Sequence, residues 1–250
     1  MSTRPVAGAI AALGVAGLLT AQPGLARDAQ AQPAGPPWTA YVANSTSGTV
    51  STIDSQTGMV TASIPGANGG QGVAVSPDGA TAYVVDDATG TVMVIDTATK
   101  AVTATIPVGT YPTGIAISPD GTIAYVTNTG PNTVSVINTA TNVVSATIPA
   151  AINPEGVAFA SNGATAYVVN TGANTLSVIN TATKAIAATI PIGANPFGVA
   201  LTPTGATAYV TNGGSDTVSV VDTTTRAVTA TIPVGTDPFG VAVTPDGTIA

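Results

Sequence analysis

A tyrosine returns every 42 residues along this 250-residue chain. The five positions are Tyr41, Tyr83, Tyr125, Tyr167 and Tyr209. The residues around each tyrosine repeat with it, so the chain is an array of one unit. A fixed period of this length, made of strand-like segments and turns, is typical of a β-propeller or a solenoid. Each unit must then bury its apolar faces against its neighbours.

One unit contains four segments with strand character. Residues 124–128 (AYVTN), 133–138 (TVSVIN) and 143–148 (VVSATI) are rich in Val, Ile, Thr and Tyr. Gly, Pro, Asn or Asp bounds each of them, and such runs predict β-strands. The fourth segment, Gly114–Ser118, is small and apolar and precedes an SPDG turn. A short apolar run fits a strand that is covered on both faces, so we place it innermost, beside the axis of a propeller.

The predicted fold class is all-β: a β-propeller of four-stranded antiparallel blades, built from five 42-residue repeats. The first blade begins within its repeat, because residues 39–64 supply only its second, third and fourth strands. The matching inner strand is Gly240–Thr244, near the other terminus. We therefore predict ring closure between the termini, which would remove the free sheet edges. The alternative is a truncated seven-bladed propeller, because residues 248–250 duplicate the lead-in at residues 39–40.

The first 31 residues have the pattern of a signal peptide. Arg4 supplies a positive charge, Val6–Leu19 is an apolar run, and Ala29-Gln30-Ala31 fits a cleavage site. The apolar run is short and rich in glycine, so it suits a membrane span poorly. The predicted organisation is a signal peptide at 1–31, a Pro-rich linker at 32–38 and the propeller at 39–250. We expect a secreted or cell-envelope protein with no membrane span after cleavage.

Charge and composition exclude several kinds of function. The formal net charge is −7, and the chain contains neither histidine nor cysteine. Without the first 31 residues, three basic residues face eleven acidic ones, a net charge of −8. Such an acidic surface repels phosphate backbones, so we predict no nucleic-acid partner. Without histidine there is no Ser-His-Asp arrangement and no His-based metal or haem site, and we predict no catalytic residue, metal or cofactor.

The tetrapeptides that begin at the five repeat tyrosines read YVAN, YVVD, YVTN, YVVN and YVTN. Together with the TVSVIN-like segments that follow, they resemble the YVTN family of β-propeller repeats over residues 39–250. The resemblance implies a propeller fold, export, and a surface or binding role as in bacterial and archaeal surface-layer and secreted proteins. Relatives with this repeat usually form seven blades, so five copies depart from the pattern. Similar propellers include lactonases and dehydrogenase subunits, but their catalytic residues have no match that we can place here.

The loops between an outer strand and the next inner strand carry the variable residues. Pro and Gly keep the loop frame, while the residues before Pro and before Gly change from repeat to repeat. In a propeller these loops ring one mouth of the axial channel. Aromatic rings with carboxylates there suit a small polar ligand, a sugar or a peptide, whereas phenylalanines alone could simply plug the mouth. The predicted ligand-binding residues are Tyr111, Glu155, Asn195, Phe197, Asp237 and Phe239.

The leading functional hypothesis is a secreted or cell-surface, non-catalytic binding scaffold. Its partner would be a protein, a peptide or a carbohydrate at the channel mouth. One alternative is a lactone- or carbohydrate-processing hydrolase that uses Glu155 and Asp237 as acid and base, since glycoside hydrolysis needs two carboxyls at a set separation. Another is a purely structural surface module. The sequence does not set the oligomeric state.

Overall fold

A computed structural model describes residues 38–250 of the chain. The signal peptide predicted at 1–31 and the linker up to residue 37 lie outside the described residues. Within 38–250 the chain forms β-strands and one short 3-10 turn, Gly213–Ser215. Among these residues no helix is long and apolar enough to cross a membrane.

The described strands form five antiparallel sheets, which we number as blades 1 to 5 in chain order. Blade 1 has three strands: β1 (Thr39–Asn44), β2 (Thr49–Asp54) and β3 (Val60–Pro65). Blade 2 has four: β4 (Gly70–Val75), β5 (Thr81–Asp86), β6 (Thr91–Asp96) and β7 (Val102–Pro107). Blade 3 has β8 (Pro112–Ile117), β9 (Ile123–Asn128), β10 (Thr133–Asn138) and β11 (Val143–Pro149). Blade 4 has β12 (Pro154–Phe159), β13 (Thr165–Asn170), β14 (Thr175–Asn180) and β15 (Ala185–Pro191). Blade 5 has β16 (Pro196–Leu201), β17 (Thr207–Asn212), β18 (Thr217–Asp222) and β19 (Ala227–Pro233).

Local turn chemistry explains why the strands end where they do. In blade 3 the Asn138 side-chain oxygen accepts the N–H groups of Ala140 and Thr141, at 3.1 and 3.0 Å. This Asx turn ends at Asn142, whose φ is +53°. Asn tolerates the left-handed conformation that closes such a turn. The same left-handed position occurs in every blade, at Gly58, Lys100, Asn142, Lys184 and Arg226.

One face of each blade packs against the opposite face of the next blade. Between blades 3 and 4, for example, one contiguous cluster buries Tyr125, Val134, Val136 and Ile148 against Ala166, Val168 and Ile179. Equivalent clusters join blades 1 and 2, blades 2 and 3, and blades 4 and 5. The core of this protein is therefore a series of thin apolar layers between sheets. The predicted all-β propeller of four-stranded antiparallel blades is confirmed.

The predicted closure of the ring between the termini is not present. Within residues 38–250, β1 pairs only with β2, and Gly240–Thr244 forms no strand. No core cluster among the described residues joins blade 5 to blade 1. The physical reason is geometric: residues 240–250 stay beside blade 5, and the steps between blades do not bring blade 5 back against blade 1. Blade 1 consequently keeps three strands.

Candidate functional site at the channel mouth

The inner strands converge on a small cavity at one mouth of the channel. Its volume is about 120 Å³. Each blade from 2 to 5, together with the segment that follows blade 5, contributes the residue just before the glycine of its inner strand. These five equivalent residues are Gln71, Thr113, Glu155, Phe197 and Phe239. The cavity therefore has five unlike side chains on a nearly repeating backbone.

The glycines of the inner strands let these strands approach each other backbone to backbone. A Cβ atom on Gly198 would lie 2.7 Å from the carbonyl oxygen of Phe239. A Cβ on Gly156 would overlap the carbonyl oxygen of Phe197 in the same way. Only glycine permits this contact, so the invariant Gly of the repeat fixes how narrow the channel is.

A threonine of the second strand holds the site backbone in blades 3 and 5. The Thr127 hydroxyl accepts the Gly114 N–H at 2.8 Å and donates to the Glu155 carbonyl at 2.6 Å. Thr211 likewise donates to the Phe239 carbonyl at 2.7 Å. The bonds to the Glu155 and Phe239 carbonyls each join one blade to the inner segment that comes next, whereas the bond from the Gly114 N–H lies within blade 3. The sequence analysis did not predict this role, although the two YVTN tetrapeptides both carry a threonine at this position.

Glu155 is the ionisable side chain of the cavity. It is half-buried among the inner strands. Burial raises the pKa of its carboxyl group to about 7, and the nearby Thr113 hydroxyl opposes this only in part. Desolvation disfavours the charged form of a carboxyl group, so the carboxyl group is poised to change its charge near neutral pH.

Phe197 and Phe239 form an aromatic wall on one side of the cavity. Their ring centroids are 4.6 Å apart with an angle of 31° between the planes. Gly213 leaves room for Phe197 and for the side chain of Asp237, because a Cβ there would lie 2.6 Å from Oδ1 of Asp237 and 2.9 Å from Cε2 of Phe197. The corresponding residues in blades 3 and 4 are Thr129 and Thr171. Blade 5 thus has glycine, where blades 3 and 4 have threonine, at the point where the aromatic ring lies.

The structure brings together half of the predicted site residues. Glu155, Phe197 and Phe239 line the cavity, and so do Gln71 and Thr113, which sequence reasoning did not select. Gln71 and Thr113 occupy the same repeat position, so the signal that would have identified them was already in the alignment of the repeats. Binding by any of these residues stays a prediction.

The other three predicted residues lie outside the cavity lining, on exposed turns. Tyr111, Asn195 and Asp237 have φ values of +50°, +48° and +53°. The Asp237 N–H is bonded to the side chain of Asp216 at 2.9 Å, and the equivalent Asn195 N–H is bonded to Asn174. These positions vary between repeats because a left-handed turn residue before proline faces solvent, and such a turn favours Asn, Asp or Gly.

The cavity shows no arrangement for a metal ion. Among residues 38–250 there is no group of three or more Asp, Glu, His or Cys that could hold one. Glu155 is the only carboxylate lining the cavity in that range. Its neighbours are amide, hydroxyl and aromatic groups, which suit recognition of a ligand by hydrogen bonds and by ring faces.

Comparison with known proteins identifies the fold. The family model described as YNCE-like beta-propeller matches residues 129–249. A solved structure of Kuenenia stuttgartiensis hydrazine synthase is 21% identical, with 84% of this chain and 87% of that chain covered and a TM-score of 0.64. A functionally unknown protein from Desulfotomaculum acetoxidans is 18% identical, with 84% and 70% covered and a TM-score of 0.75. No curated protein matches the chain.

Identities this low establish the fold and nothing further about activity. The family match covers the three C-terminal blades except the first two strands of blade 3. The structural neighbours extend the likeness over most of the described chain. The chain is therefore a β-propeller repeat protein, and from residue 129 to residue 249 it is similar to the YNCE-like β-propellers.

Proposed function

We propose that this protein is an exported, non-catalytic binding scaffold that takes one small cationic group at the channel mouth. The observation that carries the proposal is the half-buried Glu155 carboxyl beside the Phe197–Phe239 ring pair in one cavity. The best-fitting ligand is an amine on a flexible chain, such as a lysine side chain of a protein or peptide.

The chemistry of the cavity favours a cation. Aromatic ring faces attract an ammonium group, and the attraction is stronger where water is excluded. A cation close to Glu155 also favours the ionised carboxylate. The chain without residues 1–31 carries a net charge of −8, which attracts cations toward the mouth over a longer range.

The size of the cavity separates this ligand from a carbohydrate. An apolar cavity of about 150 Å³ binds a molecule the size of benzene. The cavity here is about 120 Å³, so it accommodates a single side chain or a small amine and not a sugar chain. Export is part of the same proposal and is supported by the Arg4, apolar run and Ala-x-Ala order. N-terminal sequencing of the mature protein tests it.

The hydrolase alternative has less support from the geometry. It requires two carboxyl groups about 5 to 10 Å apart across a scissile bond. Glu155 lines the cavity, whereas Asp237 belongs to the exposed turn outside the lining. We therefore propose the scaffold.

The test uses n-butylammonium as a mimic of the lysine side chain and n-butanol as its neutral counterpart. We expect the purified chain to bind the ammonium probe in titrations followed by NMR, with shifts at Phe197 and Phe239, and to bind the alcohol much more weakly. Glu155→Gln should abolish the preference. The matched control is Asp120→Asn, which changes an exposed carboxylate at the other end of an inner strand and should leave binding unchanged.

Two outcomes would contradict the proposal. One is equal binding of n-butanol and n-butylammonium. The other concerns a double variant, Phe197→Ala with Phe239→Ala: if its melting temperature falls while probe binding is unchanged, the two rings are only a plug of the channel.

A further inference from the structure

The two ends of every blade carry different loops, and only one end faces the cavity. In blade 2 the strand register sets Gly70, Asp86, Thr91 and Pro107 at the same level. Gln71, which lines the cavity, follows Gly70 directly. The loops that follow β5 and β7 therefore lie at the cavity end of the blade, whereas the SPDG turn and the Asx turn lie at the other end. We call the surface formed by the cavity ends of the blades the mouth face.

Charge is distributed unevenly between the mouth face and the opposite face. All three basic residues of the range 38–250 belong to Asx turns and so lie on the opposite face: Lys100, Lys184 and Arg226. The mouth face of that range carries no basic residue and five carboxyl groups, those of Asp86, Asp87, Glu155, Asp216 and Asp237. Carboxylates that share a surface with no basic neighbour sum to a negative potential, which attracts cations from a distance.

Two of these carboxylates lie on either side of the cavity lining. On the blade 2 side, Nε2 of Gln71 donates to Oδ2 of Asp87 at 3.3 Å. On the blade 5 side, a Cβ on Gly213 would lie 2.6 Å from Oδ1 of Asp237 and 2.9 Å from Cε2 of Phe197, so the Asp237 carboxylate lies beside the aromatic wall. The carboxyl group inside the cavity comes from blade 4, between these two positions in ring order. A ligand that enters the cavity therefore meets one carboxyl group inside it and one on each side.

A third carboxylate, that of Asp216, adds charge that the fold does not require. Its Oδ1 accepts the N–H of Asp237 at 2.9 Å. In the equivalent turns of blades 3 and 4, the side-chain oxygens of Asn132 and Asn174 accept the same bond at 2.8 and 2.9 Å. The turn therefore needs an acceptor oxygen and not a negative charge. Blade 5 thus carries a charge where blades 3 and 4 carry a neutral amide.

The mouth face also exposes two apolar side chains on its turns. Tyr111, in the turn before β8, is 65% exposed, and Ile152, in the turn before β12, is 57% exposed. In ring order both lie between Asp87 and Asp237. Aromatic side chains are enriched in protein–protein interfaces, which have polar rims. Exposed apolar groups beside carboxylates therefore fit a protein surface better than a free polyamine, which has no side chains to cover them.

We propose that the mouth face docks a basic segment of another protein. One lysine of this segment enters the cavity, and this part of the inference rests on the function proposed above. Basic residues on either side of that lysine contact Asp87 on one side and the carboxylates of Asp216 and Asp237 on the other. Apolar groups of the segment cover Tyr111 and Ile152. Complementary surface charges raise the association rate and give specificity, while the cavity provides the central contact.

The first experiment compares three probes by isothermal titration calorimetry of the purified chain. They are acetyl-GGKGG-amide with one lysine, acetyl-KGKGK-amide with three, and spermidine, a polyamine with three charges. Lysines at alternate positions of an extended peptide project to the same side, about 7 Å apart. We expect the three-lysine peptide to bind about three- to tenfold more tightly than the one-lysine peptide in about 20 mM salt, and more tightly than spermidine. The ratio of the two peptides should shrink in about 150 mM salt, where surface charges are screened.

The second experiment removes charge from the mouth face and keeps the acceptor oxygens. Asp216→Asn with Asp237→Asn introduces the residue type that the two preceding repeats have at both positions, and Asp87→Asn is the counterpart on blade 2. Each variant should weaken binding of the three-lysine peptide about two- to fivefold and affect the one-lysine peptide much less. The matched control is Asp78→Asn with Asp120→Asn, which removes two charges from the opposite face, where blade 4 already has an asparagine. It should leave the binding of both peptides unchanged.

The outcomes distinguish this inference from the function on which it rests. Equal affinities for the two peptides, with n-butylammonium still bound, would overturn the docking surface and leave the cavity as the whole site. Spermidine that binds as tightly as the three-lysine peptide would replace the protein segment by a free polyamine. Equal weakening by the mouth-face variants and by the control would show attraction by net charge alone and would also overturn the inference.

Failure of n-butylammonium to bind would contradict the proposed function by itself. Binding of the three-lysine peptide that still falls in the mouth-face variants would then support the docking surface without the lysine in the cavity. Binding that is unchanged in those variants would overturn the docking surface as well.

Discussion

At the scale of single residues, the repeat tyrosine has a different environment in each blade. Tyr41 accepts a hydrogen bond from Nζ of Lys100 at 3.1 Å, and Tyr83 donates to Oδ1 of Asn142 at 3.2 Å. In each case the partner is the left-handed turn residue of the next blade. The buried Tyr125 hydroxyl has no partner among the described residues, and burial raises its pKa. The same residue type therefore contributes differently to stability at equivalent sites.

Substituting two of these tyrosines by phenylalanine tests that difference. A buried hydroxyl without a partner costs about 1–3 kcal/mol, so Tyr125→Phe should leave the free energy of unfolding unchanged or raise it. Tyr83→Phe removes a hydrogen bond and should lower it by about 0.5–1.5 kcal/mol. Urea denaturation of both variants measures the two values. A larger loss for Tyr125→Phe than for Tyr83→Phe would contradict the assignment.

The carboxyl group of Glu155 makes the free energy of unfolding fall as pH rises, which is the opposite of the usual effect of a carboxyl group. Its pKa in the folded protein is about 7, above the ordinary value of 4.5. Between these two values the folded chain keeps the proton and the unfolded chain does not, so stability falls as pH rises through this window. The fall reaches at most about 3 kcal/mol. Above the folded pKa, this contribution is constant.

Glu155→Gln should remove this pH dependence. The surface aspartates, such as Asp246 with its pKa lowered to about 2, lose their contribution only at lower pH and are common to both proteins. We therefore expect the difference in free energy of unfolding between variant and wild type to increase in favour of the variant from pH 4.5 to pH 7. Thermal unfolding at a series of pH values measures it. A difference that does not change with pH would show that Glu155 is well solvated.

At the scale of the strand, the contact between the backbones of neighbouring inner strands limits which residue can occupy the glycine position. Neither Gly156 nor Gly240 has a positive φ, so backbone conformation does not require glycine at either position. Gly156 is required because the next inner strand lies against it. Within residues 38–250 no inner strand packs against Gly240, and nothing described lies within 4 Å of a Cβ built there. The two glycines occupy the same repeat position, but Gly156 lies in β12 against the next inner strand, whereas Gly240 lies in no strand.

Alanine at these two positions separates the steric requirement from backbone flexibility. Gly156→Ala should lower the free energy of unfolding by about 1–3 kcal/mol, because the added methyl group overpacks the contact between strands. Gly240→Ala should change it by less than about 0.5 kcal/mol, as for an open surface site. Chemical denaturation in dilute solution measures both. Equal destabilisation by the two variants would mean that glycine serves another purpose.

At the scale of the whole molecule, residues 38–250 cover blades 2, 3 and 4 on both faces and blades 1 and 5 on one face. In an array of repeats, each unit is stabilised mainly by its contacts with its neighbours. A unit with one neighbour therefore opens more easily than a unit with two. The free energy of local opening should therefore be highest in the middle blades and lower in blades 1 and 5.

Hydrogen exchange should reveal this gradient. We expect the amides of β18 (Thr217–Asp222) to exchange faster than those of β14 (Thr175–Asn180), which has the same place in its blade. Mass spectrometry of peptides from the two strands, at a concentration where the chain is monomeric, measures the rates. Equal protection of the two strands in the monomer would show that the outer face of blade 5 is covered in solution.

The sequence alone determined most of the local structure. The 42-residue period, the strand-like segments and the turn residues predicted four-stranded blades and their strand order, because these features depend on neighbours close along the chain. The left-handed residue that ends the Asx turn occurs in every blade, and Gly58 and Asn142 are residue types that adopt this conformation readily. Glu155, Phe197 and Phe239 were placed at the channel mouth because they precede the inner-strand glycine.

Only the tertiary structure decided whether the ring closes and which variable residues share a cavity. Closure depends on the angle between blades summed over the whole chain, and no local pattern specifies that sum, so the predicted pairing of residues 39–64 with 240–244 was wrong. Adjacent side chains along a strand point in opposite directions. Here the residue before proline also adopts the left-handed turn conformation that precedes the inner strand. The residues before proline therefore face solvent, whereas the residues before glycine face the cavity.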